Sequence, residues 1–147
     1  MTIYAEDVNF WHTGKSDPGK WMDLARKQII ELGGKVKGEG FGSDSEGRGA
    51  FMLAFELEGE MFKIIWPILP TRYRGQESAT RRQAATMLYH YVKSVALYSV
   101  VVGSRAAFFS HLMLPDGRVA SQVANDELVE ALPAMLLLNA GPPSRRE

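Results

Sequence analysis

The sequence predicts an α+β fold: a helix, a three-stranded antiparallel sheet, a long helix, then a mixed C-terminal extension with a short helix. Three observations carry that expectation. An apolar stripe at three- and four-residue steps follows "SDPGK"; two period-two runs, "GAFMLAFELE" and "EMFKIIWPIL", meet at a glycine; and a second helical stripe runs through Ala84, Leu88, Val92 and Val95.

Each element follows from local chemistry. In "SDPGK", Ser16 or Asp17 can accept from unpaired backbone amides, and Pro18 suits the first helical position. Met22, Ala25, Ile29 and Leu32 continue the stripe, and Gly33 and Gly34 end the helix. "KVKGEGF" is the least marked strand because its glycines pack nothing. In the next strand Phe51, Leu53, Phe55 and Leu57 alternate with small or charged residues; Gly59 turns the chain; Phe62, Ile64, Trp66 and Ile68 share a face on the return. Pro67 cannot donate to a ladder, so that strand ends there or lies at an edge. The long helix opens near Thr80, where Thr80 and Gln83 have the spacing of a capping box, and it runs toward Gly103, with a break expected within "YSVVVG". "SRAAFFSHLML" reads as either helix or strand, "LPDGR" as a turn, and "ELVEALPAML" as a short helix stopped by Pro133. The first dozen residues read as a short strand or an arm packing on the core.

The 147 residues amount to about one domain, long enough to bury a core without staples. The expected organisation is a single domain over residues 1–147: an N-terminal arm 1–16, a core 17–103, an extension 104–138 and a tail 139–147. With no cysteine, disulfides, thiolate metal sites and a cysteine nucleophile are excluded, and a reducing compartment fits. The N-terminus lacks a basic start followed by an apolar run, and the longest apolar stretches fall short of the ~20 residues a span needs. The expected location is cytoplasmic, without a membrane partner.

Formal net charge is zero but unevenly placed: residues 1–69 carry 8 basic and 11 acidic side chains, residues 70–105 carry 6 and 1, and residues 106–147 carry 3 and 5. The basic segment centres on "TRYRGQESATRRQAATMLYHYVK", where four arginines fall within eleven residues and Glu77 is the one acid. Arg72 and Arg74 precede the long helix, Arg81 and Arg82 occupy its first turn, and helical spacing sets Arg82, Thr86, Tyr89 and Lys93 in one row. Cations at a helix N-terminus oppose its dipole, which suggests that these arginines serve another purpose. Guanidinium forks fit phosphate, helix-end amides add donors, and tyrosine stacks on bases.

Other motifs point away from catalysis. The glycine-rich "GEGFGSDSEGRG" leads into a strand rather than a helix and reads as a hairpin, not a phosphate loop. Glu56, Glu58 and Glu60 alternate, but Lys63 follows Glu60 by three residues, out of phase with the lysine that metal-dependent nucleases place two after an acid. His12, His90 and His111 match no ligand spacing, and no serine sits in a "GxSxG" elbow. No catalytic residue, metal or cofactor is assigned.

The order of elements over residues 17–103, with "SATRRQAA" opening the second helix, resembles the double-stranded-RNA-binding domain. In that family two lysines before an alanine-rich turn grip phosphates, which implies phosphate contacts at Arg81 and Arg82 and places Ala84 in the turn. The family's glycine-proline-histidine loop has no counterpart in "GSDSEGRG". The single-strand-annealing recombination proteins share a similar sheet-and-helix core. The reading from sequence is a non-catalytic nucleic-acid-binding or nucleic-acid-associated accessory protein. Arg72, Arg74, Arg81, Arg82, Tyr89 and Lys93 would meet DNA or RNA, with Tyr73 a further stacking group. The alternative is a homo-oligomeric or protein–protein interaction subunit without nucleic-acid contact, suggested by Val100, Val101, Val102 and the apolar residues that follow.

Overall fold

Asp17 starts the first helix as its residue type requires, since its carboxylate accepts from the Lys20 amide at 3.1 Å while Pro18 takes the first turn. The computed structural model describes residues 1–13, 16–43 and 48–123. Its elements are α1 (Pro18–Glu31), β1 (Lys35–Ser43), β2 (Gly49–Leu57), β3 (Glu60–Pro67), α2 (Glu77–Val102) and α3 (Ser104–Ala107), with 3₁₀ turns at Ala5–Asp7 and Phe109–His111. This is the predicted fold class: helix, three-stranded antiparallel sheet, long helix, then an extension with a short helix. The helix expected over 127–136 and the tail lie outside the described residues.

The sheet order is β1-β2-β3, with Phe51 opposite Trp66, Leu53 opposite Ile64 and Phe55 opposite Phe62. Glu58 and Gly59 both take positive φ, 52° and 81°, the two-residue turn whose twist suits a hairpin. β1 is longer than "KVKGEGF": it reaches Ser43 and absorbs the first half of the glycine-rich run, with a bulge between Val36 and Gly38. At Gly34 a Cβ would stand 2.7 Å from Leu57 Cδ2 and 2.9 Å from the Glu56 carbonyl, so glycine lets the α1–β1 turn close onto β2.

Both helices pack on one face of the sheet. Met22, Ala25 and Ile29 of α1 meet Ala84, Ala85, Leu88 and Val92 of α2 over Phe51, Leu53, Phe55, Leu57, Phe62 and Ile64. α2 is one continuous helix: "YSVVV" does not break it, and Gly103, at φ 96°, ends it with its amide on the Ser99 carbonyl at 2.8 Å. Over residues 104–111 the chain is neither strand nor long helix. It takes a short helix and a 3₁₀ turn, then lays Leu112 beside Phe62 in an isolated bridge. Phe108 thereby enters the core fully buried, its ring 5.2 Å from Phe55 and 5.9 Å from Phe62. "LPDGR" is the predicted turn, with Gly117 at φ 88°.

The helix start departs from expectation. α2 begins at Glu77, three residues before Thr80, and the Thr80 hydroxyl donates back to the Glu77 carbonyl at 2.8 Å. There is no capping box, because Gln83 is buried and engaged elsewhere. Its Nε2 donates to carbonyls of the N-terminal arm, Ala5 at 2.8 Å, Asn9 at 3.0 Å and Val8 at 3.3 Å. The first residues are therefore an arm on the core, not a strand, and Phe10 stacks on His90 at 4.8 Å.

Because Phe108 joins the extension to the aromatic centre, Phe108→Ala should destabilise the protein by roughly 3–5 kcal/mol. A urea transition measures this: the midpoint should fall with the slope unchanged.

Candidate nucleic-acid interface

The register of the sheet brings the hairpin end of β1 and β2 beside the start of α2. Ala50 pairs with Pro67, and the Ile68 amide extends the ladder to the Gly49 carbonyl at 2.8 Å. The chain then crosses residues 69–76 and enters α2 at an N-cap, Gln76, whose side chain makes no capping hydrogen bond. The amides of the first turn are left without a side-chain acceptor there, the arrangement that favours an anion.

The N-terminal arm fixes this loop. The Ala5 amide donates to the Pro70 carbonyl at 2.7 Å, and the Thr71 hydroxyl donates to Glu6 at 2.7 Å. Glu6 also accepts from the Arg72 amide at 3.1 Å and from its guanidinium at 3.2 Å, while Asp7 accepts from Arg72 at 3.3 Å. The guanidinium lies 3.9 Å from the centre of the Tyr4 ring. Arg72 is thus foremost a fastener between arm and loop.

Arg74 is exposed beside Gly75 and makes no ion pair or hydrogen bond among the described residues. Arg81 is exposed and rests 4.9 Å from the centre of Phe41 in β1. It borders a cleft of about 330 Å³ that Arg48, Ile68 and Pro70 also line, and a neighbouring cleft of about 410 Å³ runs past Arg72 and Arg74. The two share Leu69, Pro70, Glu77 and Thr80, so the surface is continuous. Arg48 was not foreseen. Its signal in the sequence was the strand register, which sets Gly49 at the same end of the sheet as the start of α2.

The row Arg82, Thr86, Tyr89 and Lys93 is not a solvent face. Thr86 is buried with its hydroxyl on the Arg82 carbonyl at 2.6 Å, and Tyr89 packs 5.4 Å from Trp21 of α1. Arg82 is half-buried, and its Nε has no hydrogen-bond partner among the described residues. Lys93 is exposed, 6.0 Å from the Tyr89 ring, and lines the α1–α2 groove. The structure gathers Arg72, Arg74 and Arg81 with Arg48, and sets Tyr89 and Lys93 along the α1–α2 seam instead, with Arg82 half-buried on α2. Tyr73 is exposed on the loop.

The other candidate groups are dispersed. Glu56 pairs with Lys37 at 3.5 Å, Glu60 with Arg105 at 3.4 Å, and Glu58 sits in the turn. Among the described residues no three histidine, aspartate or glutamate side chains are grouped to hold a metal ion. His111 Nε2 lies 2.6 Å from the Tyr91 hydroxyl, and burial lowers the His111 pKa and raises that of Tyr91. No helix among the described residues is long and apolar enough to cross a membrane.

Fold and site together define an α+β domain with an arginine-rich, uncapped helix end. Comparison with protein-family models, with curated proteins and with solved structures finds no match. The likeness to the double-stranded-RNA-binding domain is one of element order.

Burial pushes the Glu6 carboxyl pKa up, but hydrogen bonds from Thr71 and Arg72 and the Arg72 charge outweigh it, leaving it below its ordinary 4.5. The folded state therefore binds its proton less readily than the unfolded chain, so this contribution to stability is complete above 4.5 and is lost as pH falls through the lowered value. Hydrogen exchange at the Arg72 amide should accelerate over that acid range beyond the intrinsic rate. Glu6→Gln should abolish the acid-dependent step.

Proposed function

We propose that the protein is a non-catalytic nucleic-acid-binding or nucleic-acid-associated accessory protein whose contact surface is the N-terminal end of α2. The observation that carries this reading is the convergence of Arg48, Arg72, Arg74 and Arg81 around an uncapped helix start, with Glu77 the one acid among the described residues that line the two clefts. Arginine matches phosphate oxygens in a fork, and helix-end amides supply further donors, so the surface suits a phosphate backbone. Tyr4 and Phe41 hold two of the guanidinium groups in place, which lowers the ordering cost of a contact. Arg74 and Arg81 are the principal contacts, Arg48 and Arg72 flank them, and Tyr73 is the exposed ring nearest in sequence. Arg82 and Lys93 extend the positive potential along the helix, with Tyr89 between them, rather than forming the central patch.

Fluorescence anisotropy of labelled single-stranded DNA, duplex DNA and duplex RNA at two salt concentrations tests the reading. Binding should weaken with salt, and Arg74→Ala/Arg81→Ala should reduce the slope of log affinity against log salt by about one unit per contact. Unchanged binding by the double variant would show that the surface lies elsewhere.

A second reading, a homo-oligomeric subunit, is favoured by the far end of α2. Leu97, Val100 and Val101 are 71%, 74% and 78% exposed, and no charged residue lies between Lys93 and Arg105. Apolar side chains at that exposure on neighbouring turns suit a self-complementary seam. Light scattering should show an oligomer that Leu97→Glu/Val101→Glu converts to monomer with unchanged circular dichroism. A monomeric parent at high concentration eliminates this reading.

A further inference from the structure

We infer that the cleft between α1 and β1 is a docking site for an acidic peptide, which adds to the sheet as an extended strand along the edge of β1. This surface is separate from the arginine-rich end of α2.

The sheet order leaves β1 paired only with β2, so its other edge presents alternate N–H and C=O groups with no sheet partner among the described residues. α1 lies alongside that edge and encloses with it a cleft of about 810 Å³. Leu24, Ile30 and Val36 line it, and Ile30 is 55% exposed, so apolar side chains of an added strand would find apolar surface. An edge strand beside a helix offers both components of strand addition, main-chain hydrogen bonds on one side and side-chain packing on the other.

Charge selects the occupant. Among the described residues five cationic side chains line the cleft, Lys20, Arg26, Lys27, Lys35 and Lys37, against two acids, Asp23 and Glu39. Both acids bind the same cation: Arg26 reaches Asp23 at 2.6 Å and Glu39 at 2.7 Å. Lys37 reaches Glu56 at 3.5 Å. Lys20, Lys27 and Lys35 make no ion pair among the described residues. Lys20 and Lys27 stand two turns apart on one face of α1, which gives a strand lying along the helix two successive anchors. Lysines and a bulge on an edge deter a second copy of the same edge, because like charges would meet. An acidic strand meets those lysines favourably. A phosphate backbone would satisfy the lysines but neither the alternating main-chain groups nor the apolar lining, which favours a peptide.

The test titrates the full-length protein into a short fluorescein-labelled peptide in which glutamate alternates with valine, at low and moderate salt. Binding should weaken with salt. It should fall about tenfold or more in Lys20→Glu/Lys27→Glu, and by a similar factor when alternate peptide nitrogens are methylated. It should be unchanged in Arg74→Ala/Arg81→Ala, so that the outcome is separable from that for nucleic acid. Both lysines are exposed, so the variant should keep the parent's circular dichroism; Lys20→Gln/Lys27→Gln repeats the test with a milder change. Absence of binding at low salt overturns the proposal, as does binding that survives methylation. So does a peptide affinity indifferent to both lysine variants while that of labelled duplex DNA falls, which would assign the cleft to nucleic acid.

Discussion

A single buried amide sets the position of the basic end. Gln83 has two hydrogens on Nε2 and faces three carbonyls, of which Ala5 and Asn9 are the nearer at 2.8 and 3.0 Å. Left unpaired in the interior, a carbonyl costs on the order of 1–3 kcal/mol. The arm therefore lies where Gln83 can reach it. Once the arm is seated, its next residues hold the loop: Ala5 takes the Pro70 carbonyl, and Glu6 takes Thr71 and Arg72. Helix, arm and loop are joined in one chain of hydrogen bonds, and the loop arginines stand at a defined place relative to Arg81.

That chain also redistributes the charge seen in the sequence. Arg72 is engaged by two carboxylates of the arm, so the positive end of the molecule is weaker there than a count of arginines implies. Arg48 lies on the wall of the neighbouring cleft. The arginines are also held differently from solvated side chains: Arg72 rests on Tyr4 and Arg81 on Phe41, so each ring limits the orientations its guanidinium can take.

Periodicity made the packing legible in advance. The alternation in β2 and β3 and the stripe of α1 name their inward residues because each pattern is a property of the element itself: Leu53, Phe55, Phe62, Ile64, Ala25 and Ile29 are all fully buried. What was illegible depends on residues far apart. Gln83 reads as a helix cap because Thr80 precedes it by three positions, whereas its carbonyl partners lie 74 to 78 residues earlier. Spacing puts Arg82, Thr86, Tyr89 and Lys93 in one row but does not say what the row faces, and α1 covers its middle through Trp21. Phe108 was ambiguous for the same reason: its segment has no regular period, and only the aromatic pair of Phe55 and Phe62 gives it a place.

The length of α2 bears on how the proposed surfaces would combine. Its start lies at the hairpin end of β1 and β2, while its far end is followed by Arg105, which reaches Glu60 at the opposite end of the sheet. With 26 residues, at about 1.5 Å each, the helix separates the arginines from the exposed Leu97, Val100 and Val101 by most of roughly 39 Å. A second copy seated on the apolar end would leave the arginine end of each copy uncovered. Two such ends on one polymer would bind together more tightly than either alone, because the second contact forms at the effective concentration set by the first. Assembly at one end of the helix would therefore strengthen whatever the other end holds.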